Sequence, residues 1–258
     1  MDAIVIAGGN PTEDHPLFKY SQGKPKALID IKGKPMIVWV LQALAACSQI
    51  DELVVVGIDE LQHREMIESA VDTPIKWLPD AGGLVQNGLA GLELVYAKNG
   101  SHSTVIGCSS DIPHIEPHMV EDLIERCQPH DKILYYAAVT PEVIDTVYPK
   151  ANRTFANLGG VKLAGCDIFV SNTRILHTNR ELWLKIINAR KNPLAMAWTV
   201  GIWPLLKLAT GLLSVADAAA LAGKLLEDDQ PIGVVYTPFP QLAMDGDKPN
   251  QIEILRNS

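Results

Sequence analysis

The sequence predicts an α/β protein: a three-layer α/β/α sandwich built on a mostly parallel, twisted sheet. Two observations carry this reading. Five short apolar runs rich in β-branched residues recur along the 258-residue chain without polar alternation, the pattern of strands covered on both faces. Helical patterns lie between most of them, and strand–helix alternation winds a parallel sheet with helices on both sides. The length suits one large domain, so residues 1–258 are read as a single unit.

The predicted strands are residues 3–7, 52–57, 103–109, 132–139 and 231–236. The predicted helices are 35–47, 60–70, 86–98 and 116–127, with Pro35 and Pro117 in the first turn, where a missing N–H costs nothing. Residues 150–175 read differently. Gly159, Gly160 and Gly165 separate short β-like pieces, which predicts a hairpin-type β insertion into the framework. Residues 180–226 read as a helical segment. Within it the apolar stretch 192–206 is broken by Pro193, Gly201 and Pro204. It falls short of the roughly 18 residues of a membrane span. A buried helix pair is the expectation there. A membrane-surface patch is the alternative, because Trp198 and Trp203 suit an interface. The apolar surface of 192–226 also offers a homo-oligomer interface.

Apolar residues make up 47% of the chain and charged residues 20%, enough for a sizeable core and against global disorder. The net charge of −8 argues against nucleic acid or a broad anionic surface as partner. A local anion site stays open. Cys47, Cys108, Cys127 and Cys166 form no CxxC pair and fit no zinc spacing. They read as reduced, buried thiols of a cytoplasmic protein. The N-terminal apolar run has no basic flank and is interrupted by Gly8 and Gly9, so it is not read as a signal peptide.

The chemistry begins where the first strand meets that glycine pair. Backbone without a Cβ admits a ligand closely, and loops beyond the carboxyl ends of parallel strands are where open α/β sheets bind ligands. Residues 15–34 hold Lys19, Lys24, Lys26, Lys32 and Lys34 against Asp30, a local +4 in an acidic chain. Such a loop suits a polyphosphate. Neither GxGxxG nor GxxxxGK[ST] follows the strand, which excludes the two common phosphate loops.

The stretch from Ile4 to Leu44 resembles the opening of the nucleotidyltransferases with a GT-A-type fold, which include molybdenum-cofactor guanylyltransferase-like and sugar-1-phosphate nucleotidylyltransferase-like proteins. The pieces that carry the resemblance are Ala7-Gly8-Gly9, Pro25-Lys26-Ala27-Leu28 and Gly33-Lys34-Pro35-Met36-Ile37. Three later stretches extend it in the family's order: DAGGLVQNGLAGLELV (80–95), VIGCSSDIPHI (105–115) and MDGDKPNQIEIL (244–255).

The resemblance implies Mg2+-dependent transfer of a nucleotidyl group from a nucleoside triphosphate to a phosphorylated small molecule, with release of pyrophosphate. It implies Lys26 and Asp111 as catalytic residues, with Asp111, Asp247 and Asp245 as metal ligands. Ala7, Gly8, Gly9, Lys26, Gly82, Gly83 and Asn87 would line the nucleotide, and Asn157, Gly159 and Gly160 the acceptor. The residues themselves also allow blander roles. Asp111 sits where turn or helix-capping aspartates are common, and Asn87 suits a helix N-cap. Lys26 reads equally as a snorkelling surface lysine, and Asp245 and Asp247 as solvated loop acids. If the D-G-D segment is extended, its two carboxylates share one side. His114 and His118, four apart, could share a helix face, and zinc there would want Glu116 or Glu121 as a third ligand.

The sequence differs from the family's pattern in two places. No arginine lies between Gly9 and Lys26, the first being Arg64, and Gln251 stands where an aspartate is common. Two other functions therefore stay open. One is a GT-A glycosyltransferase using a nucleotide sugar, although Ser109-Ser110-Asp111 stands in place of the central D-x-D motif of such enzymes. The other is a non-catalytic nucleotide or sugar-phosphate-binding relative.

Overall fold

The computed structural model describes residues 1–178, 185 and 202–258. In chain order the first half holds β1 (Asp2–Ile6), α1 (Phe18–Ser21), β2 (Asp30–Ile31), β3 (Lys34–Pro35), α2 (Met36–Ala45), β4 (Glu52–Val56), α3 (Leu61–Glu68), β5 (Ile75–Leu78), α4 (Leu84–Asn99), β6 (Thr104–Ser109) and α5 (Pro117–Arg126). The second half holds β7 (Leu134–Val139), α6 (Pro141–Val147), β8 (Ala156–Leu158), β9 (Val161–Asn172), α7 (Ile202–Ala209), α8 (Val215–Leu225), β10 (Gly233–Tyr236) and α9 (Pro249–Asn257).

The main sheet runs β10-β7-β9-β6-β1-β4-β5, with β8 paired to β9 and β2-β3 forming a separate ribbon. Its neighbours pair in parallel except at β9, which is antiparallel to β6, β7 and β8. β1 shows why non-alternating runs form this sheet. Ala3 and Val5 belong to the large core under α2 and α5, while Ile4 packs with Val54, Val56, Val95 and Val105 under α4. Both faces are apolar because both are covered.

The five predicted strands and four predicted helices are present within a few residues. Residues 150–175 differ. β8 and the start of β9 do form a hairpin, but β9 is no peripheral insertion: it continues between β6 and β7 as a central strand. Its pairing with β7 jumps from Tyr136–Phe169 to Ala138–Gly165, so Cys166, Asp167 and Ile168 form a bulge. Bulges re-aim side chains, and this one carries an aspartate.

Of the apolar stretch 192–206, residues 192–201 lie outside the described residues; the described parts of 180–226 include α7 and α8. The expected burial does not hold for the described part, where Trp203 is 74% exposed and Leu206 47%. Among the described residues no helix is long and apolar enough to cross a membrane. All four cysteines are free and buried. His114 precedes α5 rather than sharing its face with His118, and it is already engaged, its Nδ1 2.8 Å from Tyr148 Oη and its Nε2 2.9 Å from the Leu255 carbonyl. Burial lowers its pKa, which keeps the imidazole neutral.

One backbone crossing fixes the sheet edge where the loops gather. Gly57, with φ of +103°, lies so close to Gly8 that a Cβ there would stand 2.5 Å from the Gly8 nitrogen. Neither atom belongs to a flexible side chain, so no rotamer change relieves the clash. Gly57→Ala is expected to destabilise the protein by about 2–4 kcal/mol, read as a lower midpoint in thermal or urea unfolding.

Candidate active site

β1 and β6 are register neighbours, Ile6 opposite Ser109, so their following loops emerge side by side. After β1, Gly8 and Gly9 start a long excursion that returns when Lys26 N–H donates to the Gly9 carbonyl at 3.1 Å. Lys26 then opens a 3-10 turn, Lys26–Leu28, after Pro25. After β6, Asp111 is 2% exposed, and its carbonyl accepts the Gly246 N–H at 2.9 Å. That bond draws the segment Asp245–Asp247 onto the same edge. Lys26, Asp111 and Asp247 thus converge. The Lys26 ammonium donates to both carboxylates, and Ser109 Oγ donates to the other Asp111 oxygen.

Asp245 faces the same cluster but takes different partners. Its Oδ1 accepts from Arg153 Nη1 and from Gln251 Nε2, both at 2.7 Å. Arg153 also donates to the Gly165 carbonyl at 3.2 Å and stands 3.8 Å from Asp167, the bulge residue of β9. Asp167 Oδ2 is buried without a hydrogen-bond partner. Four carboxylates thereby face two cations.

The titration behaviour follows from burial first and from the neighbouring charges second. For Lys26, burial favours the neutral amine, but Asp111 and Asp247 outweigh it and raise the pKa, so the ammonium stays charged. For Asp247, burial pushes upward and Lys26 prevails, holding the carboxyl below its ordinary value. Asp167 is raised well above the ordinary range by burial and then by the charges of Asp245 and Asp111. Asp245 is raised by burial and by Asp111 and Asp247, against the opposing pull of Arg153.

Lys26 is the lysine of the basic loop that reaches these carboxylates. Lys34 lies over the Trp39 ring at 4.3 Å and donates to Gln42, Lys32 donates to the Ser258 carbonyl, and Lys19 lies 4.7 Å from the Tyr20 ring centre.

The second glycine loop abuts the first. Asn87 is 1% exposed on α4; its Oδ1 accepts the Ala81 N–H at 2.7 Å, and its amide lies against Gly8. It sits inside α4 rather than at its N-cap, where Gly83 stands. Ala7 N–H is held by the Val56 carbonyl at 2.8 Å. Gly9 and Gly82 both have positive φ and open space where a Cβ would point.

Asn157, Gly159 and Gly160 lie apart from this convergence, at the β8–β9 turn. Gly159 and Gly160 have φ of +64° and +90°, the two left-handed positions of a tight hairpin. Asn157 Oδ1 accepts the Gly160 N–H at 3.0 Å.

Arg153, Asp167 and Gln251 are the site members that sequence reasoning did not assign. The signal for Asp167 was a lone acid within an otherwise apolar strand segment, CDIFV. Arg153 had no motif of its own.

An ammonium wedged between two carboxylates marks a place where a cation fits. The donors are all oxygens, which suits a hard ion such as Mg2+. Among the described residues no three His, Cys, Asp or Glu groups are placed to hold a metal by themselves. Magnesium needs no such cage when substrate phosphates and water complete its shell.

A mostly parallel sheet puts two glycine loops and a lysine–aspartate cluster at its carboxyl edge, where open α/β sheets bind ligands, and the family match makes this the site of a nucleotide-handling transferase. The chain belongs to the MobA-like NTP transferase family, whose domain matches residues 3–206. It is a nucleotidyltransferase. A hypothetical transferase from Thermus thermophilus is 30% identical, with a TM-score of 0.79 over 97% of this chain and 98% of that one. Two more distant structures share the fold. The 4-diphosphocytidyl-2C-methyl-D-erythritol synthase of Anaerococcus prevotii is 12% identical, with a TM-score of 0.60 over 99% and 94% of the two chains. A CMP:2-keto-3-deoxy-manno-octonic acid synthetase complexed with CTP is 14% identical, with a TM-score of 0.54 over 100% and 98%. A comparison with curated proteins gave no match.

The carboxylate surplus predicts a pH effect. The folded-state pKa of Asp167 lies above its unfolded value, so the native protein binds that proton first. Stability should rise as pH falls from neutral through the raised value, and level off near the ordinary carboxylate range. Asp167→Asn should raise the melting temperature at pH 7 by about 2–4 °C and flatten that rise. Melting curves of both proteins from pH 7.5 to 4.5 check it.

Proposed function

We propose that the protein transfers a nucleotidyl group from a nucleoside triphosphate to a phosphorylated small-molecule acceptor and releases pyrophosphate. The observation that carries this reading is the Lys26 ammonium held between Asp111 and Asp247 at the sheet's ligand edge. In the reaction an oxygen of the acceptor phosphate attacks the α-phosphorus. The bond from that phosphorus to the α–β bridging oxygen breaks, and its electron pair leaves with pyrophosphate. An ionised phosphate needs no general base. The barrier is instead the repulsion between two anions, so positioned cations do most of the work.

Lys26 supplies one such cation. Asp111 and Asp247 would hold Mg2+, which when bound neutralises phosphate charge and stabilises the leaving group. Asp245, spent on Arg153 and Gln251, contributes chiefly by fixing the guanidinium. Arg153 offers the site an arginine that the first loop lacks. The exposed backbone of Gly9 and Gly82, with Ala7, Gly8, Gly83 and Asn87 behind it, would carry the base and ribose. Asn87 does so indirectly, by locking the second loop against the first. Asn157, Gly159 and Gly160 are proposed on the acceptor side. The four buried thiols accord with a reducing, cytoplasmic setting, and the protein is proposed to form a homo-oligomer. Family membership favours this reading over a glycosyltransferase.

A thermal-shift series with ATP, GTP, CTP, UTP and dTTP, each with and without Mg2+, tests it. At a hundredfold excess over Kd, one Mg2+–nucleotide should raise the melting temperature by roughly 5–10 °C, and Asp111→Asn should abolish the gain. With that nucleotide and an acceptor, Lys26→Met should cut pyrophosphate release by about 10²–10³-fold. A well-folded protein that responds to no triphosphate would sink the proposal.

A further inference from the structure

We infer that Asp167 takes the acceptor by a primary ammonium group, so that the substrate beside the nucleotide is a phosphate ester that also carries an amine. The inference rests on the transferase reading for there being an acceptor, and on the geometry around β9 for the amine.

Strand order divides the ligand edge in two. In the run β7-β9-β6-β1-β4-β5, the loops after β1 and β5 bring in Gly8, Gly9, Gly82 and Gly83, and Asp111 follows β6. The backbone proposed for base and ribose thus lies on one side of Asp111. β9 lies on the other. Cys108 of β6 pairs with Ile168, so Asp167 stands level with the exit of β6. A second substrate that reaches the α-phosphate from the far side of Asp111 meets this strand.

Asp167 has room for a partner there. Its Oδ2 is buried without a hydrogen bond. The Arg153 guanidinium stands 3.8 Å away, because it is held by Asp245 Oδ1 at 2.7 Å and by the Gly165 carbonyl at 3.2 Å. At that separation a cation offsets charge but makes no hydrogen bond. The Asp167 side chain is 29% exposed, which leaves the carboxylate open to a ligand. A hydroxyl would supply a donor and leave the negative charge as it was. An ammonium supplies both donor and charge, and such charge-assisted bonds are about twice as strong as neutral ones. Among the described residues no three acids, histidines or cysteines are placed to hold a metal ion, which argues against a second cation of that kind.

Tyr136 adds an aromatic face. Its hydroxyl lies so close over Gly165 that a Cβ there would overlap it, and the residue is 42% exposed. The charges of Asp167 and Arg153 both act on this hydroxyl. An open aromatic ring beside a carboxylate suits an ammonium. Tyr136 and Gly165 also line a cavity of about 200 Å³ whose other walls, Leu163, Val215 and Val234 among them, are apolar. That cavity offers the acceptor's carbon frame a place and offers its amine no second carboxylate. The ammonium is held and does not react; the acceptor's phosphate oxygen remains the nucleophile.

Two pairs of phosphates that differ only by an amine in place of a hydroxyl test this. They are O-phosphoethanolamine against 2-hydroxyethyl phosphate, and glucosamine 1-phosphate against glucose 1-phosphate. Each is titrated calorimetrically into the full chain at neutral pH. In one pair the amine should bind at least about tenfold more tightly than the alcohol, and the pair that does so tells an amino-alcohol frame from a sugar frame. Asp167→Asn should bring that pair within about threefold of each other. A merely structural Asp167 would leave the ratio where it was. No preference for the amine in either pair overturns the inference, and so does a preference that survives in Asp167→Asn. Pyrophosphate release is read separately. Release that is equal for amine and alcohol leaves the transferase standing and sinks the ammonium site. An amine preference in binding, with no release from any triphosphate, does the reverse.

Discussion

The ammonium of Lys26 is the contact on which the site's geometry depends. It joins Asp111, 85 residues away, and Asp247, 221 residues away. The sheet does most of the positioning before any charge acts. Register pairing of β1 with β6 sets their exits side by side. One backbone bond from Lys26 to Gly9 returns the first loop to its origin, and one from Gly246 to Asp111 brings in the C-terminal segment. Without the cation, these carboxylates would repel one another at short range and low dielectric. With it, three remote segments share one point.

The framework was legible because its physics is local. Apolar runs such as AIVIA and ELVVVG need cover on both faces, and that need shows in the sequence. β9 was not legible because its one glycine, Gly165, read as a turn signal. In the structure Gly165 lies under Tyr136, and Gly107 of β6 faces the ring of Phe169. These glycines admit aromatic rings within a sheet rather than breaking it. Lys26 and Asp111 stood out through motif order, and Asp247 with them. Arg153 and Asp167 did not, because their meeting depends on the bulge in β9, which no local pattern announces. The lysine-rich loop misled in another way. Charge counted along the sequence says nothing of direction, and Lys32 and Lys34 turn toward the C-terminal residue and α2.

The cluster also states what kind of ligand it wants. Four carboxylates face Lys26 and Arg153, and Asp167 and Asp245 are raised by burial first and by their fellow carboxylates second. A protein folded around such a surplus gives up stability at neutral pH. Arrangements of this sort persist where a ligand relieves them, and they mark functional sites more often than structural ones. A hard divalent ion arriving with a nucleotide would relieve this one. A bare anion would make it worse. The surplus therefore argues for metal and triphosphate entering as partners.

The sequence Asp245-Gly246-Asp247 shows how two like residues, two positions apart, come to differ. A Cβ on Gly246 would stand 2.7 Å from Met36 Sδ, so the backbone is pressed against the core at that point. With the segment pinned there, both carboxylates reach the cluster, as an extended alternation requires. Their surroundings then part them. The Asp245 side chain is 13% exposed and that of Asp247 57%. The buried one is paired with a guanidinium and an amide, and Gln251 supplies that amide where an aspartate would add a further negative charge. Among the described residues the open one accepts from the Lys26 ammonium. A ligand can displace a lysine from an exposed carboxylate at little cost, whereas freeing Asp245 would take from the largely buried Arg153 its hydrogen-bonded carboxylate. The same chemistry at both positions thus yields one carboxylate that holds the site together and one that is free to exchange partners.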